Sequence, residues 1–191
     1  MKLPAEAEGA SFAGEEVSDE ELQGASFVRC SFRGAGLDGL VTRRCTFHAC
    51  DFTLARLNGS EHEGSDFANS IFESANLFGV RFSDCRLAGA SFAGATLTGL
   101  AIERGDWSYA SLRGHDLAGA DLRGVKLHEA DLSEANLTGS DLRGADLSRA
   151  VLHNATLADA DLRDANLDGV DLGAAVYRGV RLDLAGAVQL A

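Results

Sequence analysis

The side chains able to do chemistry in this chain are five histidines, four cysteines and 29 carboxylates. A metal centre would draw on His and Cys at short, fixed separations. Cys30, Cys45, Cys50 and Cys85 lie 15, 5 and 35 residues apart, and His48, His62, His115, His128 and His153 form no pair at a metal-ligand spacing. All four cysteines occupy one recurring slot next to a large apolar residue, which reads as buried thiols acting as small hydrophobes in a reduced setting. There is no phosphate loop, no Gly-x-Ser-x-Gly elbow and no dinucleotide fingerprint. The aspartates recur at a fixed period, so carboxylates brought close together read as a solvated ladder and not as a general acid with its base. The expectation is no enzyme, no metal and no cofactor.

That period organises everything else. From Phe12 to Leu182 every fifth residue is a large centre, 35 slots in one phase, and 29 of them are Leu or Phe. The other six are Val17, Thr42, His62, Ile102, Trp107 and Tyr177. Neither a helix nor a plain strand repeats at every fifth residue; a strict short repeat marks a solenoid whose units stack on their neighbours. Two residues before the centre the chain is small, and one before it is polar, often Asp or Asn. Two after, it is mainly Gly: 18 of the 22 glycines sit in that slot. One small and one large inward residue per repeat describes a narrow core, with glycine supplying backbone angles or close approach at the corner. The only proline, Pro4, falls outside the repeats, where no ladder needs its N–H.

The pattern A(D/N)LXX, seen at Ala120-Asp121-Leu122 and Ala135-Asn136-Leu137, resembles the pentapeptide-repeat family over nearly the whole chain. The resemblance implies an all-β solenoid, a right-handed quadrilateral β-helix with four repeats per square coil and a short C-terminal capping helix. About nine coils at a sheet spacing of roughly 4.8 Å make a stack roughly 40 Å long. Sorting the repeats by fours separates the core columns: Phe12, Phe32, Phe52, Phe72 and Phe92 share one, Phe27, Phe47 and Phe67 another, and beyond residue 92 the centres are nearly all Leu. The expected organisation is an irregular acidic N-terminal cap over 1–24, repeats over 25–182, and a capping and dimerisation segment over 183–191. Glu15 and Glu20 in small inward slots mark the irregular start, Ser18-Asp19-Glu20-Glu21 reads as a capping box, and Asp183 as the N-cap of the final helix.

The formal net charge of −12 excludes nucleic acid as a preferred ligand and favours a basic partner. No apolar run reaches the length of a membrane span, and the N-terminus lacks a signal-peptide core, so a cytoplasmic location is expected. Two adjoining faces are poor in Arg: one carries Asp51, Glu73, Asp131, Glu134 and Asp171, the other Glu16, Asp19, Asp38, Asp116 and Asp159. A third face alternates Asp121, Asp141 and Asp161 with Arg123, Arg143 and Arg163, which reads as neutralisation. Solubility alone would also account for like charge on a stack with open ends.

The tail Gly179-Val180-Arg181-Leu182-Asp183, followed by an Ala-rich segment, resembles the gyrase-interacting MfpA/Qnr/AlbG-like subgroup. That resemblance implies a non-catalytic mimic of DNA that binds and inhibits DNA gyrase or topoisomerase IV and confers resistance to quinolones or another gyrase poison. The contact residues expected for such a partner are those of the two Arg-poor faces: Asp38, Asp51, Glu73, Asp116, Asp131, Glu134, Asp159 and Asp171. A homodimer through the C-terminal end would use Tyr177, Val180, Leu184 and Val188. The alternative is a rigid interaction scaffold for another partner, with outward Phe78 as its anchor. Thr42 and His62, stacked in one core column, read either as a local core defect or as a small polar pocket.

Overall fold

The computed structural model describes residues 2–17, 19–173 and 175–189, and divides the chain into two compact units, Met1–Ala101 and Ile102–Ala191. In the first unit the strands are short: β1 Glu6–Glu8, β2 Glu21–Gln23, β3 Ser26–Val28, β4 Val41–Arg43, β5 Thr46–His48, β6 Glu61–Glu63 and β7 Arg81–Ser83. They form parallel sheets in the orders β1-β3-β5 and β2-β4-β6-β7. Every pairing advances by four repeats, as in Glu6↔Ser26 and Thr42↔His62. Two further columns are held by single bridges, Ser11–Ser31–Asp51–Ile71–Ser91 and Glu16–Gly36–Arg56–Asn76. Four bridged columns, one for each repeat of the coil, give it four sides, which is the expected quadrilateral β-helix. A last strand, β8 Ala101–Glu103, lies at the division between the units. The second unit continues the same single-bridge pattern, for example Asp121–Asp141–Asp161–Arg181. These ladders count five rungs in the first unit and four in the second, and the nine-coil figure stays a reading of the sequence.

What turns the chain at each corner is backbone conformation. Every described residue in the slot from Gly9 to Gly179 has a φ between +51° and +77°, whether or not it is glycine. L-residues are strained in left-handed geometry, so glycine dominates. The sixteen non-glycine residues there include Asn, Asp, Arg, Glu, Leu and Tyr but no Val, Ile or Thr, as β-branching makes positive φ hardest to reach.

The large centres fill the interior of each unit. In the first, Phe12, Phe32, Phe52, Phe72 and Phe92 stack face to face with centroids 4.8–5.1 Å apart. Phe27, Phe47 and Phe67 form a second stack and meet the first edge-on or tilted, as at Phe27–Phe32 (5.5 Å, 76°). The rung spacing of a parallel sheet coincides with the separation aromatic rings prefer, so one period satisfies both. In the second unit Trp107 and the Leu columns, such as Leu132 and Leu152, are buried in the same way.

The N-terminal expectation is corrected. Pairing starts at Glu6, so most of 1–24 is a ladder and not an irregular cap. Glu21–Gln23 is strand where a helical turn was expected, and Ser18 lies outside the described residues. Neither of the two inward glutamates is fully buried. Glu15 is exposed, and the Glu20 carboxylate accepts the Leu3 N–H at 3.2 Å, with Leu3 itself buried. At the other end α1, Leu184–Gln189, forms where expected. Asp183 caps it: Oδ1 accepts the Gly186 N–H at 2.7 Å and Oδ2 the Asp164 N–H at 2.8 Å. A Cβ on Gly186 would stand 3.3 Å from Leu182 and 3.5 Å from Leu167, so the helix lies on the end of the Leu core through its glycine. Leu190 and Ala191, within the expected 183–191 segment, lie outside the described residues.

Leu54 sits at a corner with φ +60° and its side chain largely exposed. Leu54→Gly is expected to stabilise by about 0.5–1 kcal/mol, because relief of left-handed strain outweighs the added freedom of the unfolded chain. Leu54→Val is expected to destabilise by about 1 kcal/mol or more. Urea midpoints of the three proteins check both, and midpoints in any other order refute the corner argument.

Candidate functional site

Outward residues of one column stand one rung apart, so a side chain meets partners one coil away in sequence, and a long one reaches two coils. This geometry sorts the expected contact residues into two sets. In the first unit Arg33 Nη1 lies 3.1 Å from Asp51 Oδ2. Arg56 reaches Asp38 at 3.3 Å and both Glu16 oxygens at 2.9 Å. That second reach crosses an entire rung and is possible because the residue between is Gly36. A Cβ there would stand 1.9 Å from Glu16 Oε2 and 2.5 Å from Arg56 Nη2. In the second unit Arg113 binds Glu134 at 2.5 Å.

Glu73 in the first unit, and Asp116, Asp131, Asp159 and Asp171 in the second, meet no cation within 4.0 Å among the described residues. Three of them take neutral donors instead: Asp116 accepts Asn136 Nδ2 at 2.9 Å, Asp131 the Ser133 N–H at 2.9 Å and Asp171 the Gly173 N–H at 2.7 Å. Asp159 lies over Gly179, where a Cβ would come within 2.2 Å of its Oδ1. The arginines that cancel Asp38, Asp51 and Glu134 were visible in the sequence about one coil away, and they become neighbours once the four-repeat coil is imposed.

The mixed face of the second unit is neutralised rung by rung. Arg123 binds Asp121 through two parallel hydrogen bonds of 2.7 and 2.6 Å, and Arg143–Asp141 and Arg163–Asp161 repeat the arrangement. Bonds from Arg163, opposed by burial, hold the Asp161 carboxyl at about 2, below the usual carboxylate range. Burial tends to raise the Asp51 carboxyl, but the Thr53 hydroxyl and amide and the Arg33 guanidinium outweigh it and leave it low. A surface groove of about 330 Å³ runs along this face past Arg143, Arg163 and Arg181.

At the C-terminal end Tyr177 is 56% exposed, Leu184 83% and Val188 69%, with Val176 exposed and Val180 half-buried. α1 thus turns glycine inward and its large apolar residues outward. Phe78 is likewise exposed, at 57%.

Thr42 and His62 form neither a void nor an open pocket. Thr42, Ser60, His62 and Ser65 are all buried, and their hydrogen bonds run in one direction. Ser60 Oγ lies 2.9 Å from His62 Nε2, His62 Nδ1 2.8 Å from Thr42 Oγ1, and Thr42 Oγ1 3.1 Å from Ser65 Oγ. The Ser65 hydroxyl donates to the Glu63 carbonyl at 3.2 Å and accepts the Cys45 N–H at 3.1 Å. Each hydroxyl donates once, so Thr42 donates to Ser65, His62 Nδ1–H donates to Thr42, and Ser60 donates to Nε2. The chain closes with a neutral imidazole, which stacks on Phe82 at 5.0 Å. Burial pushes the His62 pKa down to about 3.

The cysteines are free and buried. Burial raises the Cys50 thiol to about 12 and Cys85 to about 11, which keeps them protonated and inert. Among the described residues no group of three or more His, Cys, Asp or Glu is placed to hold a metal, and no helix is long and apolar enough to cross a membrane. A shallow cleft of about 200 Å³ lies beside His153, lined by Arg149, Val151, Gly169 and Asp171, with no Ser, Thr or Cys in its wall.

A model of pentapeptide repeats matches residues 50–77, 75–103, 108–139 and 135–173. The chain is 39% identical over 59 residues to the pentapeptide repeat protein MfpA of Mycobacterium tuberculosis; the match covers 31% of this chain and only 32% of that curated relative's length. Full-length QnrB1, a plasmid-mediated fluoroquinolone resistance protein, superposes with a TM-score of 0.82 at 25% identity over 97% of both chains. HetL of Nostoc sp. strain PCC 7120, involved in regulating heterocyst differentiation, superposes with a TM-score of 0.56 at 26% identity over 91% of this chain and 89% of its own.

The neutral state of His62 has a pH signature. Its folded pKa of about 3 lies below the unfolded value near 6.5, so the unfolded chain takes up the proton first. The network's contribution is complete above about pH 6.5 and declines as pH falls toward about 3. Between pH 7 and pH 5 the loss is about 2 kcal/mol. His62→Phe, which matches Phe82 in its column, is expected to remove that part of the pH dependence. Thermal unfolding of both proteins at pH 7, 6 and 5 reads the slopes, and equal slopes overturn the assignment.

Proposed function

The chain belongs to the pentapeptide-repeat family, and on that premise we propose that it is a non-catalytic cytoplasmic protein that binds DNA gyrase or topoisomerase IV in place of duplex DNA. Binding inhibits the enzyme and serves resistance to a quinolone or another gyrase poison. The observation that carries the reading is the likeness to a fluoroquinolone resistance protein over 97% of both chains. The uncompensated carboxylates are its physical counterpart: Asp116, Asp131, Asp159 and Asp171 of the second unit, with Glu73 of the first, offer negative charge that no neighbouring arginine cancels. Such charge speeds encounter with a basic groove and disfavours acidic partners. Asp38, Asp51 and Glu134 contribute less, because their charge is already matched by Arg56, Arg33 and Arg113. The exposed Tyr177, Leu184 and Val188, with Val180 beside them in sequence, supply the apolar surface for a homodimer through the C-terminal end.

A second reading, an interaction scaffold for another class of protein, is favoured by the exposed Phe78 and by the likeness to HetL. Salt separates the two, since binding through charge weakens steeply with ionic strength and binding through an apolar anchor does not.

Added to a gyrase supercoiling assay, the protein is expected to inhibit in proportion to its concentration. The variant carrying Asp116→Asn, Asp131→Asn, Asp159→Asn and Asp171→Asn is expected to lose at least about tenfold in potency while unfolding at the same temperature. Absence of inhibition with gyrases from several bacteria, or full potency in the fourfold variant, refutes the proposal. Leu184→Asp with Val188→Asp is expected to give a folded monomer by light scattering, and a variant that stays dimeric refutes the assignment of that interface.

A further inference from the structure

We infer that the buried chain Ser60–His62–Thr42–Ser65 is a register lock, fixing which coil stacks on which in a sequence whose core slots are otherwise interchangeable. With 29 of 35 centres Leu or Phe, looping out one whole coil still places apolar on apolar, small on small and corner on corner. Apolar contact has no direction, and the backbone ladder is the same in any register. Such a chain specifies its pairing weakly and is open to slipped or swapped assemblies.

A buried hydroxyl does not by itself select a register. Ser70 bonds only to backbone, accepting the Cys50 N–H at 3.0 Å and donating to the Phe47 carbonyl at 2.6 Å, and any rung offers such groups. His62 is different, because both its ring nitrogens end on side chains. One partner, Ser60, is local. The other, Thr42, is the residue directly opposite in the preceding rung, in the pairing Thr42↔His62. Were the strand of His62 to pair with the one before, Glu21–Gln23, the imidazole would lie on Leu22. Its Nδ1–H and the Thr42 hydroxyl would then be stripped of each other in a dry interior. A slip of one repeat sets His62 against Leu37 or Phe47, with the same result. Only the observed register satisfies every donor. Buried polar groups that select register at some cost in stability are known from helical assemblies, and here the network ties the two neighbouring rungs that carry Thr42 and His62.

The test uses the full chain with Thr42→Leu, Ser60→Ala, His62→Phe and Ser65→Ala together, each matched to residues its column already tolerates. The variant is expected to unfold at equal or higher denaturant. On refolding it should divide into at least two populations by hydrogen-exchange mass spectrometry of peptides spanning residues 21–83, with at least a threefold lower yield of the native species. The parent protein and Ser70→Ala should refold to one population. His62→Phe alone should show the same division at lower amplitude, and it decides the matter if the fourfold variant does not fold. A single population at parental yield in both variants, or in His62→Phe when it alone folds, overturns the inference.

Discussion

One backbone constraint underlies the structure: a left-handed residue at every fifth position. It turns the chain by a quarter of a coil, and the four residues between corners are just enough for one short strand and one inward step. From this follow the pairing of each residue with the one four repeats on, the columns and the narrow interior. Glycine is the ordinary answer to the constraint and not its definition, since sixteen other residues adopt the same conformation at that slot. Gly36 makes the contrast clear. It is not a corner residue, and what it supplies is room for Arg56 to pass over it to Glu16.

Stacking then converts sequence separation into surface pattern. A charge repeated once per coil becomes a row of like charges one rung apart, which repels itself unless a counter-row stands beside it. On the mixed face of the second unit the counter-row is present, and each Asp holds its own Arg by two bonds. Such exposed pairs add little to stability; what they do is erase charge. Where the counter-row is missing, at Asp116, Asp131, Asp159 and Asp171, the charge survives. The surface is therefore defined as much by where arginines stand as by where carboxylates do.

Much of this was legible in the sequence, because a strict period reports geometry directly. The columns of Phe and Leu, the corner slot, the final helix and its Asp183 cap follow from residue type and spacing. The N-terminal start did not. Glu15 and Glu20 break the inward rule, and the sequence does not say that Glu15 stays exposed or that Glu20 meets the Leu3 N–H. The side-chain pairs were also hidden, since Arg56 reaching Glu16 depends on rotamers and on the absence of a side chain between them. Thr42 and His62 stood out as an anomaly, but Ser60 and Ser65, which make the anomaly a satisfied chain, looked like ordinary small residues.

The corner slot has one more consequence. A residue there points outward, and what the fold asks of it is a backbone angle. Two of the eight expected contact carboxylates, Glu134 and Asp159, occupy corners, as do Arg149 and Tyr109. Where a Cβ would meet nothing within 4 Å, as at Gly114, Gly119 and Gly139, exchanging Gly for Asp or Asn alters the surface without repacking the interior. Such open corners are thus editable sites on an invariant frame, through which descendants of one repeat array can diverge in partner while their cores stay nearly the same.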